Sequence, residues 1–164
     1  MRLPMIISAG LLLSLGLSLP VMSQSSIEIA QSPASQNLNL RRLKFNRNLW
    51  NQQNIPNYRY TFSNGCFCIP EARGPVVIEV RNGQTTSITS VATGQPVDSR
   101  YFQQYKTIPQ LFNVIQDAIN RKASSLSVQY APQFGYPTQI DIDYNSQIAD
   151  EEVYLRIENF EKIK

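Results

Sequence analysis

The chain has 164 residues, 42% hydrophobic, 10% aromatic and only 16% charged, which is one domain's worth of sequence with enough apolar material to bury a core. A formal net charge of +3 is too small to imply nucleic acid or an acidic membrane surface as the partner. The complete lack of histidine excludes Ser-His and Cys-His catalysis, histidine metal ligands and imidazole general-base chemistry.

Met1 and Arg2 form a short positive start, Leu3 to Leu19 is uncharged and mostly apolar, and Pro20 precedes Val21-Met22-Ser23. This is the layout of a secretory signal peptide, with cleavage expected after Ser23. The apolar run is shorter than the roughly 20 residues of a spanning helix, so no stable membrane anchor is expected after cleavage. No cysteine follows the cleavage region, and the single arginine does not fit a twin-arginine signal. The expected destination is the periplasm or the extracellular space. Residues 24–37, QSSIEIAQSPASQN, are rich in Ser and Gln and predict a flexible leader ahead of a single domain over 38–164.

Leu38, Leu43, Phe45, Leu49 and Trp50 recur at approximate helical spacing, which predicts a first helix over 38–52, closed by Pro56. Tyr58, Tyr60 and Phe62 alternate with polar residues as in a half-buried strand. Two β-branched runs, Val76 to Val80 and Thr85 to Ile88, flank Asn82-Gly83, a strong hairpin signal. Thr107 and Gln110 have capping-box spacing around Pro109, and Ile108, Leu111, Phe112, Ile115, Ala118 and Ile119 mark one face of a second helix. Alternation over Leu126–Tyr130, Ile140–Tyr144 and Val153–Ile157, with Gly135 and Pro137 at a turn, predicts three further strands. The order is helix, three strands, helix, three strands. It predicts an α+β fold of two helix-plus-three-strand units forming an antiparallel sheet, with the helices packed on one face.

Charge is unevenly placed: Arg41, Arg42, Lys44 and Arg47 cluster early, and Asp141, Asp143, Asp150, Glu151 and Glu152 cluster late. Such runs are usually solvated faces. Pairing of the two clusters within the fold is at least as good a reading as an anionic partner.

Trp50, Tyr58-Arg59-Tyr60, Cys66-Phe67-Cys68, Gly74-Pro75-Val76 and Asn82-Gly83, followed by Thr107-Ile108, Leu111-Phe112, Gly135-Tyr136-Pro137, Ile140-Asp141-Ile142-Asp143 and Asp150-Glu151-Glu152, together resemble an exported bacterial domain-of-unknown-function family, numbered 6174. The resemblance covers roughly residues 45 to 160. It implies an exported or lipid-anchored protein, although this chain lacks the cysteine of the lipid-anchored form, and it implies no activity.

Two features could carry chemistry. Cys66 and Cys68 are the only cysteines. In a strand their Cα atoms would lie about 6.6 Å apart, near the upper edge of disulfide geometry, so bonding them needs a bend that Gly65 could supply. So short a loop yields only about 1.6 kcal/mol of closure entropy. A local structural disulfide, a redox pair with Arg59 or Arg73 stabilising a thiolate, and free or metal-bound thiols all remain open. Asp141, Asp143, Asn145 and Glu152 have the spacing of a calcium loop, but Ser146 stands where the sharp turn needs glycine and strand patterns flank it. The plainer reading is a strand with Asp141, Asp143 and Asn145 on its wet face. Tyr58, Tyr60, Phe62 and Phe112 read as sheet interior or, alternatively, as an aromatic groove for an apolar ligand or peptide. No phosphate loop or complete nucleophile motif occurs, and no cofactor is expected. The leading expectation is therefore a non-enzymatic binding or envelope-associated module, whose partner is a protein or small apolar ligand. A thiol–disulfide protein is the alternative, and a calcium-binding module a third reading.

Overall fold

A computed structural model describes residues 32–66, 68–148 and 151–164. The expected signal peptide, and the leader up to residue 31, lie outside the described residues. Helix α1 (Pro33–Gln53) begins five residues before the apolar spacing does, because its start is set by capping. The Ser32 hydroxyl accepts from the Ser35 N–H at 3.3 Å and Pro33 fills the first turn, where its missing N–H leaves nothing unpaired. Residues 33–37 of the expected leader are thus helical. Asn54, in the left-handed region at φ 47, ends the helix.

Six strands follow among the described residues: β1 (Tyr58–Asn64), β2 (Val76–Arg81), β3 (Gln84–Ser90), β4 (Ser125–Tyr130), β5 (Pro137–Asp143) and β6 (Glu152–Lys162). They form one antiparallel sheet in the order β3-β2-β1-β6-β5-β4, so the fold is α+β. At the β2–β3 turn Arg81 faces Gln84, and Asn82 and Gly83 take φ of 51 and 74, as a type I′ hairpin requires. Helix α3 (Ile108–Asn120) starts where expected: Thr107 Oγ1 accepts from the Gln110 N–H, and the Gln110 side chain accepts from the Lys106 N–H. Two short elements have no periodic signature in the sequence. These are α2 (Pro70–Arg73), between β1 and β2, and a 3-10 turn at Ser99–Phe102.

Register places the alternating apolar residues on one face. Tyr58, Tyr60 and Phe62 oppose Val80, Ile78 and Val76; Ile78 opposes Ile88; Phe62 opposes Ile157; Ile140 opposes Leu155 and Val128. With Leu43 and Trp50 from α1 and Ile108, Leu111, Phe112, Ile115 and Ala118 from α3, these side chains form a single buried cluster. A bulge between β1 and β6 alters what the alternation of β6 alone would give. Asn159, at φ 50, absorbs one extra residue, which turns Phe160 to the side of Trp50 and Tyr58; their ring centroids lie 5.7 Å from it. No helix among the described residues is long and apolar enough to cross a membrane.

Candidate functional site

The cysteines lie outside the sheet. β1 ends at Asn64, and Gly65 makes a last rung by donating to the Tyr154 carbonyl at 2.7 Å. A Cβ at Gly65 would come within 3.0 Å of the Tyr154 Cβ, so glycine suits this close approach. The chain then bends, and Cys66 and Cys68 stand at disulfide-bonding distance with their Cα atoms 5.3 Å apart. The strand geometry expected for the pair does not apply, since pairing has already ceased. Arg73, on α2, donates from Nε to the Cys68 carbonyl at 2.8 Å and fastens this loop to the next element. Arg59, the other candidate thiolate partner, is paired instead with Glu161 across β1–β6 at 2.7 Å.

Helix α2 forms one wall of a groove of about 520 Å³. The other walls are Gly74, Pro75 and Val76 at the head of β2, the segment after β3 and Tyr101. The apolar lining comes from Pro70, Pro75, Val76, Ala92, Pro96 and Val97. Ile69, Val91 and Tyr101, in or next to this lining, are 49%, 51% and 41% exposed. Local hydrogen bonds hold the rim: Val91 N–H to Pro75 O at 3.0 Å, Ser90 N–H to Gln95 O and Gly94 N–H to Ser90 O at 2.9 Å each. Asp98 caps the 3-10 turn through the Arg100 N–H, and its hydrogen-bonded pairing with the Arg100 side chain holds the carboxyl below the usual carboxylate range. The two carboxylates of the lining, Glu71 and Asp98, make the groove apolar with an acidic edge. The sequence reading assigned none of these residues to a site, although Gly74-Pro75-Val76 carries part of the family resemblance. The prolines at 70, 75 and 96 mark rigid turns, but no periodicity says that the turns meet.

A second groove of about 410 Å³ is amide-rich, lined by Gln103, Gln104, Gln110 and Asn113 with Val114, Asp117 and Tyr144. It carries no cluster of nucleophilic or metal-ligating groups.

The calcium-spaced residues are spread along the sheet. Asp141 and Asp143 lie on β5, Glu152 faces Asp143 across β5–β6, and Asp141 faces Tyr154. Asn145 is in the turn beyond, where its side chain accepts from the Gln147 N–H at 3.0 Å. Among the described residues no group of three or more acidic or thiol side chains could hold a metal ion. Tyr58, Tyr60, Phe62 and Phe112 are 2% exposed or less and line neither groove. Their polar tips are used internally: Tyr58 Oη accepts from the Ile108 N–H at 3.1 Å, and Tyr60 donates to the Tyr105 carbonyl at 2.7 Å. The basic cluster of α1 and the acidic cluster of β5–β6 are joined by none of the ion pairs among the described residues.

Fold and site together describe an α+β domain with a six-stranded antiparallel sheet, a cysteine-pair loop and a proline-walled groove beside it. The family model described as "Family of unknown function (DUF6174)" matches residues 42–162, and the chain belongs to that family. No curated protein and no solved structure matches the chain.

Proposed function

We propose that this is an exported, non-enzymatic binding module whose ligand lies in the groove between α2 and the segment after β3. The observation that carries the reading is the pairing of an apolar lining with a hydrogen-bonded rim, which is the usual make-up of a preformed binding site. Tyr101 in the lining, with Ile69 and Val91 next to lining residues in the chain, supplies apolar surface that folding has left in water, and Glu71, in none of the ion pairs among the described residues, favours a ligand with a positive group. The occupant that fits is a short apolar peptide segment carrying a lysine or arginine. Two helix-plus-three-strand units with the helices on one face would account for the chain order and for the strand order, in which 3-2-1 is repeated as 6-5-4. Residues 1–23 act as the signal peptide in this reading, and N-terminal sequencing of the exported chain checks cleavage after Ser23.

The test places a photo-crosslinking residue at Tyr101 and, separately, at Tyr154 on the sheet's other face, in cells exporting the chain. The expected result is a crosslink from position 101 to an apolar, cationic segment whose synthetic copy binds the wild type and binds Tyr101→Ala at least tenfold more weakly. Equal crosslinking from both positions, or none from 101, would overturn the groove.

The disulfide-distance pair favours a second reading, in which the Cys66–Cys68 dithiol reduces a partner disulfide and is itself oxidised to the bond. Insulin reduction in a defined glutathione buffer separates the two readings. Turnover that disappears on Cys66→Ser would favour the redox protein; no turnover leaves the binding module.

A further inference from the structure

We propose that the outward face of α1 docks on an anionic phospholipid surface. α1 carries four charged side chains, Arg41, Arg42, Lys44 and Arg47, and every one is cationic. The fold divides them. Arg42 is turned to the sheet edge, donating to the Val128 carbonyl at 3.0 Å, and Arg47 lies over the Phe112 ring and donates to Asn113. Arg41 and Lys44 are exposed and take part in no ion pair among the described residues.

On either side of them in the chain stand the two large apolar residues that are most exposed among the described residues. Phe45 is 69% and Leu38 56% exposed, the largest values among the big hydrophobic side chains of the described residues. Positions 38, 41 and 45 follow the i, i+3, i+7 pattern, so Leu38, Arg41 and Phe45 form one stripe about 10 Å long, with Lys44 at its flank. Apolar side chains interleaved with cations on a convex helix suit the boundary between lipid headgroups and acyl chains. Phe45 and Leu38 enter the apolar layer while Arg41 and Lys44 meet the phosphates. A folded acidic protein would satisfy the charges but would leave two large side chains on a convex surface with no pocket to receive them. The surface shares no residue with the groove, so the proposal stands or falls independently of it.

The experiment is co-sedimentation of the full exported chain with vesicles of phosphatidylglycerol and phosphatidylcholine in equal parts, and with phosphatidylcholine alone. Binding is expected only to the anionic vesicles, and molar salt should abolish it because the exposed charges are screened. Arg41→Gln/Lys44→Gln should weaken binding by about 25-fold, at roughly fivefold per cation. Phe45→Ser should weaken it several-fold with both cations intact. Arg156→Gln/Lys164→Gln removes the same charge elsewhere on the surface and should leave binding unchanged. Emission from Trp50, the only tryptophan and buried, reports that each variant is folded. Equal losses in the two double variants would mean attraction by net charge alone and would overturn the proposal. So would binding that is indifferent to Phe45→Ser, or equal partition into neutral vesicles.

Discussion

The Tyr58 hydroxyl lies inside the core, where burial pushes its pKa up from 10.0 to about 12 despite the Ile108 N–H that favours the anion. Tyr60 is also raised well above the usual tyrosine value, by burial and by its neighbour Tyr58, and burial carries Tyr130 to about 12 against the pull of Arg42 and Arg47. In the unfolded chain each would ionise near 10, so between 10 and 12 the unfolded state holds fewer protons than the folded one. The stabilising effect of these groups is complete below pH 10 and is lost as pH rises towards 12. Unfolding free energies from urea titrations between neutral and strongly alkaline pH should therefore stay level and then fall above pH 10, by about 1.4 kcal/mol per pH unit for each tyrosine, with the midpoints falling alongside. Midpoints that stay level up to pH 12 would mean that these hydroxyls reach water. The alternation of Tyr58, Tyr60 and Phe62 is plain in the sequence. The partners of the hydroxyls are not, because Ile108 and Tyr105 lie 50 and 45 residues further on.

At the scale of elements, the free edge of β4 is the vulnerable feature, and α1 covers it. Asn39 donates to the Leu126 carbonyl at 3.3 Å and Arg42 to the Val128 carbonyl at 3.0 Å, with the Arg42 guanidinium 5.8 Å from the Tyr130 ring centre. Two side chains thus occupy carbonyls that another strand could otherwise recruit. Asn39→Ala/Arg42→Ala should lower stability by about 2–4 kcal/mol, from one neutral and one charge-assisted hydrogen bond. It should also introduce concentration-dependent association in sedimentation velocity. A double variant that is monomeric and melts as wild type would remove this bracing role. Helix α3 and the β2–β3 hairpin were legible because their signals, a capping pair and Asn-Gly, act over two to four residues. The bulge at Asn159 was not, since which face Phe160 takes depends on β1 lying opposite.

For the molecule as a whole, stability rests on one apolar cluster that draws on all six strands, α1 and α3. The Cys66–Cys68 loop lies outside that cluster. Closing about three residues contributes only about 1.6 kcal/mol, so Cys66→Ser/Cys68→Ser should lower Tm by no more than about 6 °C in a thermal melt. A larger drop would mean that the loop, through Arg73 and α2, helps to hold the groove wall against the sheet.

The existence of α1, α3 and the six strands, the hairpin, the α+β class and the exclusion of histidine chemistry follow from the sequence by itself, because periodicity, caps and turn residues act on near neighbours. Only the tertiary structure decided that the proline-bearing segments at 70–76 and 90–98 close around a common groove. It also decided that Arg42 is tied to the β4 edge and Arg47 half-buried over Phe112, while Leu38, Phe45 and, without ion-pair partners among the described residues, Arg41 and Lys44 are left in water. A net charge of +3 conceals that sorting. Composition sums over the whole chain, whereas a surface is made by the packing that removes some side chains from water and leaves others.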